Sequence, residues 1–406
     1  MSDLFKNRSF VFIWLGQAVA GLGGTFFAFV MSWLLLELTG SMVAMGTAWL
    51  LFWLPSLAVQ LWSGPWLDRW DRRNVLAFSQ FACATMLVAP MILFFSGHLQ
   101  AWHIYAVTFG NGLMEPLFRP ASMAVVASVL PRNRLVKGNS LLEGTQQIMY
   151  LVGPPLGGGL IRYLGAGPVL VLMVVLTAVA ATLLTMLPSC RSGSTGREPW
   201  LTQFRQGLVF FRQNPALFWV GIFLAISNTC ASATSPMLLP LITERLAGDA
   251  FHYGLFTGAG SLGMIAATVW TGLSREPGDR RLVMMGFQVA GGLILALIGL
   301  VTNLWVAIIL NSIYGFTMII FNIHNNTIYQ KRVPADLMGR VFAVRILLAQ
   351  LGMPVGGFVG GVVAEFWGLP LLFIIAGGMV ALVALIALVS PVFLNLNDDN
   401  MAEASM

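Results

Sequence analysis

Long apolar runs, most about twenty residues or more, alternate with short polar connections along almost the whole chain. They lie at about residues 9–38, 43–63, 74–96, 102–129, 138–163 and 167–188. After a longer polar stretch, they resume at about 215–240, 252–274, 282–301, 304–329, 338–366 and 369–390. None shows the two-residue alternation of a barrel strand. A helix of this length spans a hydrocarbon core of roughly 30 Å and satisfies its own backbone hydrogen bonds there. The pattern predicts an all-α membrane protein with twelve transmembrane helices. The first run is too long for a signal peptide and is followed by further spans.

The connection at 189–214 divides the runs into six and six. Its Gly/Ser-rich part reads as a flexible linker. Beyond it, Trp200, Leu201, Phe204, Leu208 and Phe211 recur at helical spacing opposite Gln203, Arg205, Gln206 and Arg212. That pattern predicts an amphipathic helix lying on the cytoplasmic membrane surface. The expected organisation is a six-helix bundle at 1–188, the linker at 189–214, a second bundle at 215–392 and a cytoplasmic tail at 393–406.

The two bundles echo one another. The charged stretch from Gly64 to Arg73 contains Asp68, Arg69, Asp71 and Arg72, and a stretch of equal length runs from Gly272 to Arg281, 208 residues later. Both begin with Gly and end in Asp-Arg-Arg, and Glu276 falls opposite Asp68. Pro131 and Pro334 each precede a span containing Pro and clustered Gly: Gly153, Pro154, Pro155, Gly157, Gly158 and Gly159 in one, Pro354, Gly356, Gly357, Gly360 and Gly361 in the other. Parallel six-helix repeats predict a transporter with substrate held near the midplane between pseudo-symmetric halves.

Composition agrees: 57% of residues are hydrophobic and 9% charged, against roughly a quarter charged in soluble domains. The net charge of +6 does not point to nucleic acid. Under this map, all but Arg119, Arg162 and Arg245 of the 22 Lys and Arg fall at or near one face. That asymmetry places both termini in the cytoplasm. Cys83, Cys190 and Cys230 have no metal or disulfide spacing. There is no phosphate-binding Gly-x-x-x-x-Gly-Lys-Ser/Thr loop, His-Glu-x-x-His pair or nucleophile elbow, so the sequence argues against an enzyme and against ATP-driven transport.

On these residues the chain resembles the major facilitator superfamily across essentially its whole length. Gly64, Asp68, Arg69, Arg72 and Arg73 match the signature Gly-x-x-x-Asp-Arg-x-Gly-Arg-Arg/Lys, with Asp71 replacing the second Gly. The stretch Gly153, Pro154, Gly157 and Gly158 resembles the motif shared by antiporters of that superfamily. Pro120 to Pro131, Gly138 to Leu141 and Gly153-Pro154 resemble the macrolide-efflux and enterobactin-exporter-like branch. The buried Arg of many drug antiporters falls near Ala106 here, so that element is absent or replaced by Arg119.

Charges within a bilayer are costly and so become functional candidates. Glu115 and Arg119 lie one turn apart on the fourth span and read either as a proton-coupling pair or as a self-neutralising one. Glu37, at the external end of the first span, is a second proton-coupling candidate beside a solvated reading. Glu143 reads as a partner of the basic cytoplasmic face. The tenth span carries Asn311, Asn322, His324, Asn325 and Asn326, a polar load suited to a wet cavity, with His324 either a proton relay or a packed residue. Gln17, Asn228 and Arg345 are further cavity candidates, and Phe26, Phe29 and Trp33 are candidate pocket aromatics. The resemblance implies that spans one, four, seven and ten line that cavity. In the loops, Gly64, Asp68, Arg69, Arg72 and Arg73, with Glu276, Arg280 and Arg281, are gating candidates. Asp68 would meet the start of span eleven or Arg340, with a second latch near Gly138.

The expected activity is proton-coupled efflux of a bulky amphipathic small molecule, drug, macrolide or siderophore-like, by alternating access. The alternatives are nutrient import on the same fold and a non-transporting sensor or intramembrane enzyme. No cofactor or metal is expected; protons, substrate and lipid are the partners, and a monomer in a bacterial-type inner membrane is the expected form.

Overall fold

The computed structural model describes residues 2–67, 70–190, 200–334 and 337–390. Local sequence sets most helix ends. The Asn7 side chain accepts from Phe10 N–H (3.2 Å) to start α1, Arg8–Thr39, and Gly40 closes it in the left-handed region at φ 58°. Helices α2 (Met42–Leu67), α3 (Arg72–Phe95), α4 (Ala101–Val129), α5 (Leu135–Leu164) and α6 (Ala166–Thr185) follow. Then come α7 (Trp200–Gln213) and α8 (Pro215–Thr234), whose path continues through a 3₁₀ turn at Ser235–Met237 and a π turn at Leu241–Arg245. The chain ends with α9 (Ala250–Leu273), α10 (Arg280–Leu300), α11 (Leu304–Arg332), α12 (Met338–Gln350), α13 (Met353–Trp367) and α14 (Leu369–Val389).

Among the described residues, nine helical segments are long and apolar enough to cross a membrane. They are α1, α2, α3, α6, α8 with its continuation, α10, α11, α12 with α13, and α14. Helices α4, α5 and α9 match them in length; α4 and α5 carry charged residues within their spans, and α9 is rich in glycine and threonine. These helices follow the apolar runs of the sequence closely.

The chain forms two compact units, Met1–Arg197 with Ile242–Gly258, and Glu198–Leu241 with Ala259–Met406. In the first, α1 packs on α5 and α6, α2 on α4, and α3 on α4 and α6. In the second, the corresponding pairs recur: α8 packs on α12, α13 and α14, and α10 on α11 and α14. The α9 and α11 backbones approach at Gly315, where an added Cβ would lie 2.2 Å from the Gly260 carbonyl. The internal packing thus repeats as the loops do. The first unit's core joins Phe10, Ile13, Leu76, Val125 and Leu184; the second's joins Phe223, Met284, Phe321, Tyr329 and Val344.

Helix α7 departs from the surface helix expected at this position. Phe210 and Phe211 are buried in the second core with Phe204 packed against it, and Gly207 lets α7 cross α12 closely at Arg340. Part of the aromatic face of α7 is thus buried against the protein, while Leu208 and Val209 stay exposed.

Candidate functional site

In the first unit, α4 and α5 carry exposed charged groups. Glu115 of α4 is exposed. Arg119, one turn on, donates to Glu143 Oε1 of α5 at 3.3 Å, with both side chains more than half exposed. The ion pair therefore ties α4 to α5, where same-helix spacing pointed to Glu115. Tyr150, two turns along α5, bonds Gln146, which packs on Gly21 of α1. Trp14 Nε1 donates to Thr145 Oγ1 (2.8 Å), and Gln17 bonds Ser122 of α4. Glu37 is exposed at the end of α1.

Phe26 and Phe29 do not line open space: they are 1% and 3% exposed. Phe26 lies against Gly157, and the Phe29 ring sits 5.0 Å from Tyr253. Close helix packing around the α5 glycines draws both rings into the core. Trp33 is half-buried. Glycine also brings α5 against the first turns of α9. A Cβ on Gly158 would lie 2.1 Å from the Ala250 carbonyl, and one on Gly254 would lie 2.4 Å from the Pro154 carbonyl. Just beyond, Arg162 Nη1 meets Asp249 Oδ2 at 2.7 Å, and His252 Nδ1 meets Asp249 Oδ1 at 2.7 Å. The sequence signalled this cluster only through Arg162, one of three basic residues off the main basic face.

The second unit holds a polar seam across α8, α11 and α12. Pro354 has no N–H for the Gln350 carbonyl, and the helix breaks at Leu351–Gly352. Side chains of α8 take up nearby carbonyls: Asn228 Nδ2 donates to Ala349 O (2.9 Å), and Ser232 Oγ to Met353 O (2.6 Å). On α11, Asn322 Nδ2 donates to Met318 O of its own helix at 3.0 Å. Asn311 and His324 are buried, Asn326 is exposed, and Asn325 is fully buried with neither amide atom hydrogen-bonded. Arg345 is 6% exposed; its guanidinium lies 4.3 Å from the Tyr329 ring centroid and 5.3 Å from that of Phe342. Spacing alone named Asn325 and Arg345 but not Tyr329, which the approach of α11 to α12 brings under the Arg345 guanidinium; Phe342 is the neighbour three residues earlier on α12 itself.

Of the loop candidates, Asp68 and Arg69 lie outside the described residues, and Gly64 is at the end of α2. Asp71 caps α3 by accepting from Arg73 N–H (3.0 Å), and it also accepts from Ser189 Oγ and from Cys190 N–H (3.1 Å). Burial pushes its carboxyl up, but those three hydrogen bonds and the Arg73 charge together hold it below the usual carboxylate range. Arg72 N–H donates to Cys190 O (3.2 Å) and Arg73 Nη1 to Leu187 O (3.4 Å). Glu276 pairs with Arg280 and stands 3.9 Å from Lys331, while Arg281 Nη1 donates to Leu388 O (3.2 Å). Gly138 packs on Leu130 and Phe10 within the first unit.

The Major Facilitator Superfamily model matches residues 13–356. Macrolide efflux protein A of Streptococcus pyogenes is 22% identical over 385 residues, 93% of this chain and 94% of that protein. Multidrug efflux pump Tap of Mycolicibacterium fortuitum is 24% identical over 399 residues, 95% of this chain and 96% of that protein. Among solved structures, the nucleoside transporter NupG superposes with TM-score 0.73 at 14% identity, covering 94% of this chain and 99% of that one. An inward-facing bacterial homologue of the iron transporter ferroportin gives 0.71 at 16% identity, covering 96% and 98%. With the family model spanning most of a chain built from two repeated helical units, the protein belongs to the major facilitator superfamily and is a transporter, not an enzyme.

Proposed function

We propose that the protein exports a bulky amphipathic small molecule by alternating access, driven by inward proton flow. All twelve long helical spans cross a bacterial inner membrane, with both termini cytoplasmic, and the monomer is the working unit. The observation that carries this reading is the exposed set Glu115, Arg119 and Glu143 on α4 and α5 of the first unit. A carboxylate there, with a cation one turn away, can bind and release a proton as its surroundings change from wet to dry. The two efflux relatives support the outward direction. The glycine-tight contact of α5 with α9 supports a seal against proton leak beside those residues.

The test uses everted vesicles with an imposed pH gradient and a panel of macrolides, siderophores and dyes. Export predicts that a substrate dissipates the gradient in wild-type vesicles and that Glu115→Gln abolishes the response. Undiminished proton-coupled transport in Glu115→Gln would remove that carboxylate from the mechanism. Uptake in right-side-out vesicles with no response in everted ones would indicate import.

A further inference from the structure

Arg345 presents an unusual balance of charge. Its guanidinium is buried among α8, α11 and α12, and among the described residues it has no carboxylate within ion-pair distance. Its Nε–H makes no hydrogen bond. Tyr329 and Phe342 offer ring faces, which favour a cation without neutralising it. The Tyr329 hydroxyl is committed, donating to the Leu217 carbonyl at 2.5 Å, and so supplies no counter-anion. The partial negative end of α11 lies nearby, but its last turn carries Lys331 and Arg332, which offset it.

A second unsatisfied group lies on the helix that carries Tyr329. Asn325, one turn before Tyr329 on the same face of α11, is 0% exposed and has two free N–H donors and a free carbonyl oxygen. A buried amide and a buried guanidinium left unpaired cost stability, and a transporter keeps such groups where a ligand completes them. The break at Leu351–Gly352 lies about 9 Å along the helix from Arg345, at the 1.5 Å rise of an α-helix. Interrupted helices are where transporters place polar ligand sites and where a segment can shift to admit one.

We infer that the second unit holds an oxyanion site formed by Arg345 and Asn325, which takes the carboxylate, sulfonate or phosphate head of an amphipathic ligand. The guanidinium fork binds two oxygens in its plane while its face stays on Tyr329, and the Asn325 amide donates to the same head group. As the substrate class of the exporter, this rests on the function proposed above; as a binding site, it stands on the unit alone. The direct test is therefore binding to purified protein in nanodiscs, with no gradient. The probes are radiolabelled taurocholate, a bulky amphipathic sulfonate, and tetraphenylphosphonium, a bulky cation.

Wild type is expected to bind taurocholate, Arg345→Met to bind it roughly 10–100-fold more weakly, and Arg345→Lys to fall between. Asn325→Ala gives a smaller loss, and tetraphenylphosphonium binding is unchanged in all three. The melting temperature of Arg345→Met is expected to stay level or rise, because an unpaired buried charge has been replaced by an apolar chain. A lipid phosphate as the occupant would appear as weaker taurocholate binding when phosphatidylglycerol replaces phosphatidylcholine, with Arg345→Met insensitive to the change; that result also supports the oxyanion site. Absence of taurocholate binding to wild type in both lipids overturns the proposal. So does equal binding by Arg345→Met, or a fall in its melting temperature that assigns Arg345 a packing role. If everted vesicles show no proton-coupled export while Arg345-dependent binding persists, the transport reading fails and the site survives.

Discussion

Arg73 and Arg281, 208 residues apart, each donate from Nη1 to a main-chain carbonyl at a helix end: Leu187, two residues past α6, at 3.4 Å, and Leu388 of α14 at 3.2 Å. Each is the second Arg of an Asp-Arg-Arg that opens a helix, and each Asp caps that helix. The repeat is therefore a staple, tying the start of a unit's third span to the end of its sixth. Arg73→Met and Arg281→Met are each expected to cost about 1 kcal/mol, the net worth of one such hydrogen bond. Lying in separate units, they should add in the double variant within roughly 0.5 kcal/mol. Denaturant unfolding of the purified protein reads both quantities; a larger departure from additivity would show that the staples communicate.

Asp71 stands where the superfamily signature has glycine, and its carboxylate gathers three donors from two parts of the chain. Its carboxyl is held below the usual carboxylate range, so the folded state binds the proton less readily than the unfolded one. This contribution is complete above the ordinary Asp pKa and is lost as pH falls through the lowered folded value. Asp71→Ala is expected to cost about 1–3 kcal/mol at neutral pH, a cap and buried hydrogen bonds together. It should also flatten the acid limb of a stability-versus-pH curve. An acid limb as steep as that of wild type would assign the slope to other carboxylates.

The all-helical fold and the polar character of α11 were legible in the sequence, because hydrophobic run length and residue type are local signals. Pairings across helices were not. Spacing set Glu115 beside Arg119, and the register of α4 against α5 adds the Arg119–Glu143 pair, which spacing did not show. Amphipathic periodicity found α7 but could not tell a protein core from a lipid surface, since both accept Phe210 and Phe211. Phe26 and Phe29 read as pocket residues because an aromatic on an apolar helix looks the same whether it lines a cavity or fills a gap beside glycine.

The α5 glycines differ from one another in a way that only geometry reveals. A Cβ at Gly157 or Gly159 finds ordinary contact, at 3.4 Å from Phe26 and 3.8 Å from Phe251, whereas at Gly158 it would lie 2.1 Å from the Ala250 carbonyl. Gly158→Ala is therefore expected to force α5 and the first turns of α9 apart, costing about 1–3 kcal/mol as an overpacked contact does. Gly157→Ala and Gly159→Ala should stay within about 0.5 kcal/mol of wild type. Thermal unfolding ranks the three, and labelling of a Cys introduced at Ala250 reports whether that turn has become accessible. Equal effects at all three positions would mean that the motif acts through backbone flexibility rather than close approach.

Above that contact, Asp249 draws together Arg162 from the end of α5 and His252 from the start of α9. Burial raises its carboxyl, but the main-chain and side-chain hydrogen bonds from His252, with the charges of His252 and Arg162, lower it further than burial raises it. As at Asp71, the contact is fully held above the ordinary Asp pKa and weakens as pH falls through the lowered value, so it stays closed across neutral pH. With more than a third of the Asp249 side chain exposed, solvent screening keeps the Arg162 pair small, and a double-mutant cycle of Arg162→Gln with Asp249→Asn should give about 0.2–1 kcal/mol. After division by the intrinsic exchange rate at each pH, protection of Ala250–Gly258 is expected to fall in acid in wild type and to lose that dependence in Asp249→Asn. Zero coupling together with unchanged exchange would leave glycine packing alone to hold the first turns of α9 on α5.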